Sequence, residues 1–455
     1  MDAQLNRNLL EFIYRSPSMY HTVASICEEL EGNGFSRLQE TEPWHLKPGK
    51  NYYVTRNGSS IIAFKIGTEP KNLSFRISAS HSDSPAFKLK AAPELKGPGD
   101  TLRLNVEAYG GMIDATWLDR PLSIAGRVFV KSGDAVESRL FCTEKDVALI
   151  PNLAIHFNRD VNNGYAFNRH TDHCPLFTAG AMKEGEFDKL IASSLDVDPQ
   201  VLLAKDLFLV NRQRGCIWGA TDEFISSPRL DDLQCAFATL QGFLSTERKS
   251  GVNVYCCFDN EEVGSNTQQG AMSTFLKDCL ERIGEGIGMG REDYRRAIAA
   301  SFLLSADNAH AVHPNHPEKT DAENRCYLNH GLVIKENAAQ KYTTDAMSRA
   351  FVREICARVK EPYQLFANRS DLAGGSTLGN LSNIQVSLHA ADVGLPQLAM
   401  HSCYETAGAR DTESAVRIFA EYYRVEMRIE NDERFVFLTE ENESIPVIRK
   451  PRQLK

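Results

Sequence analysis

The sequence predicts an α/β fold, a sheet with helices on both faces, interrupted by a β-rich insert. Two observations carry this. Towards both ends of the chain, short β-rich runs alternate with helical segments, the pattern of a helix-covered sheet. Between them, residues 92–224 change texture: Gly, Pro and Asn are frequent, strand-like runs are short and helical patterns are few. A structureless loop of that length is uncommon in a compact protein, so the segment reads as a second domain inserted in the first. The expected division is a discontinuous domain of residues 1–91 plus 225–455 around an insert of 92–224. A chain of 455 residues is long enough for two such cores.

In chain order, residues 5–32 read as helical. Ser16-Pro17 looks like an N-cap followed by a first-turn proline, opening a second helix at 17–32. Residues 60–66 and 73–80 read as strands, rich in Ile and Phe with alternation. Inside the insert, 102–108 and 122–131 are strand-like. After it, Val252–Phe258 is a β-rich run bounded by Gly251 and Asp259-Asn260. The apolar run 299–306 fits a strand or a helix end by periodicity, and 384–388 is a third strand candidate. Helical segments at 231–246, 267–283 and 342–360 separate them.

Composition narrows the function. Hydrophobic residues make up 42% and charged residues 24%, which excludes a disordered chain, a collagen and a coiled coil. The net charge of −9 is a poor match for nucleic acid or an anionic membrane, and neither is expected as a partner. The longest apolar stretch, near 297–306, is too short to span a bilayer. The N-terminal residues lack an apolar signal core. Eleven Cys are scattered without a C-x-x-C pair, which fits buried thiols in a reducing compartment, and the expected location is the cytoplasm.

Five short segments place His, Asp and Glu at element boundaries. They are Ser80-His81-Ser82-Asp83, Arg229-Leu230-Asp231-Asp232, Asp259-Asn260-Glu261-Glu262, Ala306-Asp307-Asn308-Ala309-His310 and Met400-His401-Ser402. In open α/β sheets, ligands bind at the carboxyl ends of strands, where four of these would meet. Each alone has an ordinary reading: a capping pair, a solvated face, an N-cap, a turn. Together, two His and several carboxylates suit a pair of divalent metals such as zinc, with one carboxylate shared. Of the neighbours Glu261 and Glu262, one can bind metal while the other reaches a water. Asp83 can accept a hydrogen bond from the second ring nitrogen of His81 and fix its tautomer.

These segments resemble the aspartyl aminopeptidase family of cytosolic zinc metallopeptidases, in its bacterial form, over nearly the whole chain. The matching motifs are S-H-S-D-S-P (80–85), Y-G-G-M-I (109–113), D-R-P-L-S-I-A-G-R-V (119–128), L-A-I-H-F (153–157), S-P-R-L-D-D-L (227–233), D-N-E-E-V-G-S (259–265), A-H-A-V-H-P-N (309–315), V-I-K (333–335), R-S-D-L-A-G-G-S-T-L-G (369–379) and L-A-M-H-S (398–402). The resemblance implies a zinc-aminopeptidase-like catalytic domain, with a central mixed sheet flanked by helices, and an inserted β-rich dimerisation domain. It implies two divalent ions, foremost Zn²⁺, with Co²⁺ and Mn²⁺ as substitutes. His81 and Asp307 would hold one, Glu262 and His401 the other, and Asp231 would bridge them, with Glu261 as general base. His156 would reach a neighbouring subunit's site, and Lys335 would face the side chain of the substrate's first residue. The implied activity is removal of acidic N-terminal residues from peptides, and the implied assembly is a homododecamer built from dimers.

Gly374 and Gly375 offer close backbone approach or positive φ in a loop that would line the pocket, and His310, close to Asp307, is a further substrate-pocket candidate. The chain departs from the family at Cys403-Tyr404-Glu405, where an Arg commonly precedes the Glu, at Ser82, and at Asp114-Ala115-Thr116. The alternatives are a dinuclear-zinc aminopeptidase of neutral or basic specificity, a related deacylase or dipeptidase, and, furthest from the residues present, a non-catalytic assembly protein.

Overall fold

Along Val252–Phe258, side chains alternate between two faces, and both faces are buried. Val254, Cys256 and Phe258 pack on one side with Phe64, Ile77, Phe275 and Leu280. Tyr255 and Cys257 pack on the other with Phe237, Leu240 and Phe243. A strand covered twice needs no polar alternation, which is why the run is nearly continuous in apolar residues. The structure, a computed structural model, describes residues 3–69, 73–247 and 249–438.

Among these residues, nine strands form one mixed sheet. At its centre Val252–Phe258, Phe75–His81, Phe302–Ala306 and His389–Gly394 run parallel. Ser60–Ile66 and Leu332–Glu336 flank them antiparallel. Helices Ala3–Arg15, Met19–Gly32, Leu230–Leu244, Ala346–Val359 and Asp411–Arg424 cover one face, and Phe275–Gly286, Arg291–Ala299 and Leu378–Gln385 the other.

The β-rich segment forms a separate sheet around its own core of Leu104, Leu122, Ile124, Val128, Phe141 and Leu207. Leu202–Val210 pairs with both Ala86–Lys96 and Pro121–Ser132, so the sheet closes on itself and leaves little free edge. Its strands begin at Ala86, ahead of residue 92, and end at Val210. Cys216–Trp218 and Phe224–Ser227 instead join a small sheet with Glu405–Gly408, Pro396–Leu398 and Ala309–His310. One α-helix, Phe187–Leu195, sits within this segment, beside short 3-10 turns such as Asp114–Trp117.

Three element expectations change. The helix expected at 267–283 is Phe275–Gly286, with turns before it. Residues 384–388 hold no strand: Leu378–Gln385 is a helix that buries Leu378 and Ser382, and the strand follows at His389–Gly394. The second helix starts at Met19 with Ser18 as N-cap, and Ser18 Oγ lies 2.8 Å from His21 Nδ1. The Ser16-Pro17 signal was thus two residues early.

Candidate metal centre

The four parallel strands end on one edge of the large sheet. Phe75–His81 ends on His81 itself. Val252–Phe258 runs into the single turn Glu261–Val263, and Phe302–Ala306 into Asp307. His389–Gly394 continues through Pro396–Leu398 to His401, whose backbone is left-handed at φ 66. Asp231 and Asp232 open the helix Leu230–Leu244 but keep non-helical dihedrals (ψ 111 and 17). Their carboxylates therefore leave the helix and join the strand ends.

Asp231 lies between the two imidazoles. Its Oδ1 is 3.5 Å from His81 Nε2 and its Oδ2 is 3.4 Å from His401 Nε2. Glu262 Oε2 is 3.3 Å from the same His401 nitrogen. Asp231, Glu262 and His401 form one group whose ligand atoms lie within 4.8 Å of one another, and His81, Asp231, Asp232 and Asp307 form another. The structure thus brings together His81, Asp231, Glu262, Asp307 and His401, with Glu261 beside them in a third group with His81 and Glu262.

The histidine tautomers follow from their second nitrogens. His401 Nδ1 is 2.6 Å from the Gly111 carbonyl, which can only accept, so Nδ1 carries a proton and Nε2 is the nitrogen left to turn a lone pair to a metal once a cation displaces its proton. His81 Nδ1 faces the Asp83 carbonyl at 3.1 Å and the Asp83 carboxylate at 3.4 Å, with the same result. The Asp83 carboxylate is also engaged elsewhere: it accepts the backbone N–H of Glu261 and of Glu262, both at 3.2 Å, and the Tyr109 hydroxyl at 2.7 Å.

Several supporting groups escaped the sequence reading. Asp232 accepts the His81 backbone N–H at 2.9 Å. Glu405 accepts the backbone N–H of Asp231 at 3.0 Å and of His401 at 2.7 Å, tying the two residues together. Tyr109 and Gly111 reach the site from the β-rich segment. Their only sequence signal was the Y-G-G motif, which names no ligand.

The other expected residues sit apart from the cluster or behind it. Lys335 is buried and donates to the carbonyls of Asp307 at 2.7 Å and Asn308 at 3.2 Å, with Asp307 Oδ2 3.8 Å away. His310 follows Asp307 on the strand Ala309–His310, its ring 6.4 Å from that of Phe366. Gly374 has ordinary negative φ but lies so close to Asn368 that a Cβ would meet its Nδ2 at 2.1 Å, whereas Gly375 faces open space. His156 is exposed in the β-rich segment and shares no hydrogen bond or ion pair with the cluster among the described residues. Exposed Leu153, Ile155 and Phe157 surround it in sequence.

The electrostatics call for cations. Burial pushes the Glu261 carboxyl up to about 8 despite nearby His81, and burial likewise raises Asp232, Glu262 and Asp307. Asp231 goes the other way: burial opposes it, but the His401 and His81 imidazoles beside it hold its carboxyl well below the usual range. For His401 burial is outweighed by Asp231 and Glu262, which push it up to about 10. Buried Asp231 Oδ1, Asp232 Oδ1 and Glu262 Oε1 lack a hydrogen-bond partner. Two ligands of one tetrahedral zinc, with bonds of about 2.0–2.2 Å, sit about 3.4 Å apart. The 3.3–3.5 Å separations match that edge. The donor set fits a pair of divalent ions.

A helix-covered sheet whose parallel strands end on shared imidazoles and carboxylates is the architecture of a metal-dependent hydrolase. The chain matches the family model Aminopeptidase I zinc metalloprotease (M18) over residues 12–423. It is 44% identical over 423 residues to a probable M18 family aminopeptidase 2 of Clostridium novyi, covering 92% of this chain and 98% of the relative. Against the protein of the same name from Ectopseudomonas mendocina, identity is 40% over 430 residues, covering 93% and 99%. It superposes on a chain of the Ape4 and Nbr1 complex with TM-score 0.88 and 36% identity, covering 92% of this chain and 85% of that chain. On the S. cerevisiae mApe1 dodecamer the TM-score is 0.80 at 27% identity, covering 92% and 95%. The chain belongs to the M18 family of metallo-aminopeptidases.

Proposed function

We propose that the protein is a two-metal aminopeptidase, most suitably with Zn²⁺, that removes the N-terminal residue of peptides and prefers Asp or Glu there. One observation carries the reading: the two oxygens of Asp231 each face a different imidazole Nε2, at 3.5 and 3.4 Å. His81 and Asp307 would hold one ion, His401 and Glu262 the other, and Asp231 both. When bound, such a pair acidifies a water and polarises the scissile carbonyl.

The chain's own residues supply the rest. Glu261 takes the proton from the attacking water and returns it to the leaving amine. Burial raises its carboxyl to about 8, and neighbouring cations would bring it down toward the neutral range where a base works best. Asp83 holds the amides of Glu261 and Glu262 and the tautomer of His81, so it fixes base and ligands together. Lys335 has two of its three N–H donors on main-chain carbonyls, which leaves one for an acidic side chain of the substrate. Its burial and its proximity to Asp307 favour the second reading, an aminopeptidase of neutral or basic specificity.

His156 acts from a neighbouring copy by donating to the developing oxyanion. The exposed apolar side chains beside it and the likeness to the mApe1 dodecamer support self-association into a homododecamer through the β-rich segment. The site of action is the cytoplasm, a reading that eleven cysteines without a C-x-x-C pair support. No helix among the described residues is long and apolar enough to cross a membrane.

The test is chelation followed by reconstitution with Zn²⁺, Co²⁺ or Mn²⁺, assayed on Asp-, Glu-, Leu- and Lys-arylamides and on N-acyl amino acids. Metal-dependent release from the Asp and Glu arylamides supports the reading. Turnover of only the N-acyl substrates makes the protein a deacylase instead.

A further inference from the structure

The metal ligand His401 is held by the β-rich segment as well as by its own domain. Residues 110–117 link the strands Thr101–Tyr109 and Pro121–Ser132 of the closed sheet and pass directly beside the His401 turn. The Gly111 carbonyl accepts from His401 Nδ1 at 2.6 Å. The Ile113 N–H donates to the His401 carbonyl at 3.0 Å. The Thr116 hydroxyl accepts the Cys403 N–H at 2.9 Å and donates to the Ile113 carbonyl at 2.7 Å. One hydroxyl therefore closes a ring that grips the His401 turn on both sides of the ligand.

The gripping segment is itself anchored. The short helix Asp114–Trp117 is fixed at its start by Arg169, which makes two bonds to the Asp114 carboxylate at 2.9 and 2.7 Å. At its end, Trp117 is buried with its ring edge-on to Phe87 at 5.4 Å. Thr116 thus sits on a rigid support, as a group that orients a ligand must. The left-handed backbone of His401 makes outside support more important, because a non-glycine residue there persists only when its surroundings hold it.

We propose that Thr116 is a positioning residue for the metal site: by locking the 401–403 turn onto the β-rich segment, its hydroxyl aims His401 Nε2 at Asp231 and Glu262. The proposal rests on the reading that His401 holds one of two ions. It makes the β-rich segment part of the metal centre and not only a surface for assembly.

The test is metal binding by the purified full chain, stripped and then titrated with Co²⁺ alone. It is read by visible absorption and by equilibrium dialysis against buffered Zn²⁺. Thr116→Val keeps the shape at a half-buried position and removes the hydroxyl. It is expected to weaken one of the two ions by about 10–100-fold and leave the other unchanged. The metal-free melting temperature should stay close to that of the parent, and Thr116→Ser should restore binding. If Thr116→Val does not fold, Thr116→Ala carries the same comparison with Thr116→Ser. Parental affinity for both ions in the hydroxyl-free variant overturns the proposal, and so does equal weakening in Thr116→Ser. His401→Ala separates the two claims. Retention of both ions by that variant refutes the underlying metal reading, whereas loss of one ion there with no effect at Thr116 refutes only the positioning role.

Discussion

Stripping the metals should make stability fall as pH rises, and reloading them should remove that slope. Without cations, Glu261 is raised from 4.5 to about 8. A carboxyl raised in the folded state binds a proton that the unfolded chain has already released. Its contribution is fully present below about 4.5 and is lost as pH climbs through 8. Between pH 6 and 8 the loss from this group alone starts at about 1.4 kcal/mol per pH unit and halves by pH 8, about 2 kcal/mol in all. His401, raised from 6.5 to about 10, is raised in the same sense, and its stability is lost as pH rises from 6.5 through 10. Asp231 is depressed, so its contribution is present above about 4 and constant across this window. For a chain of 455 residues unfolding as one unit, the entropy of unfolding is about 1 kcal/mol/K, so Glu261 alone lowers Tm by about 2 °C between pH 6 and 8. The assay is thermal unfolding of chelated and zinc-loaded protein at pH 6, 7 and 8. A steeper fall in the chelated form, with proton release on metal binding, is expected. Equal slopes would refute the view that these carboxylates are a cation site.

Three substitutions extend the account. Glu261→Gln should retain metal, measured by dialysis, while kcat falls by about 10²–10⁴-fold; near-parental turnover would remove Glu261 as base. Lys335→Leu should reduce kcat/KM on Asp- and Glu-arylamides more than on Leu-arylamide. It should also cost about 1–3 kcal/mol in denaturant unfolding, because the Asp307 and Asn308 carbonyls lose their donor. Gly394→Ala should destabilise by about 1–3 kcal/mol or more and weaken metal binding, since a Cβ there would lie 1.9 Å from the Asp307 carbonyl oxygen.

The sequence revealed the candidate ligands more readily than their supports. His81, Glu262, Asp307 and His401 are ionisable residues at the ends of elements, and such positions can be read from pattern. Asp232 and Glu405 work by accepting backbone N–H groups, and Gly111 by offering a carbonyl; none of these interactions leaves a residue-type signature. The sheet order was hidden for another reason. Phe75–His81 lies between Val252–Phe258 and Phe302–Ala306, partners far away in the chain, and local propensity carries no information about such pairing. The strand His389–Gly394 was overlooked because Ala390, Ala391 and Gly394 give little β signal, although small side chains suit its tightly packed place beside Asp307.

The central claim is that Asp231 joins two metal ions, one beside His81 and one beside His401. Metal content of the protein equilibrated with buffered Zn²⁺ tests it most directly, alongside His401→Ala and Asp231→Ala. The account predicts two ions per chain in the parent, one in His401→Ala and weakened binding of both in Asp231→Ala. A single ion per chain at saturation, or two ions retained tightly in Asp231→Ala, would contradict it.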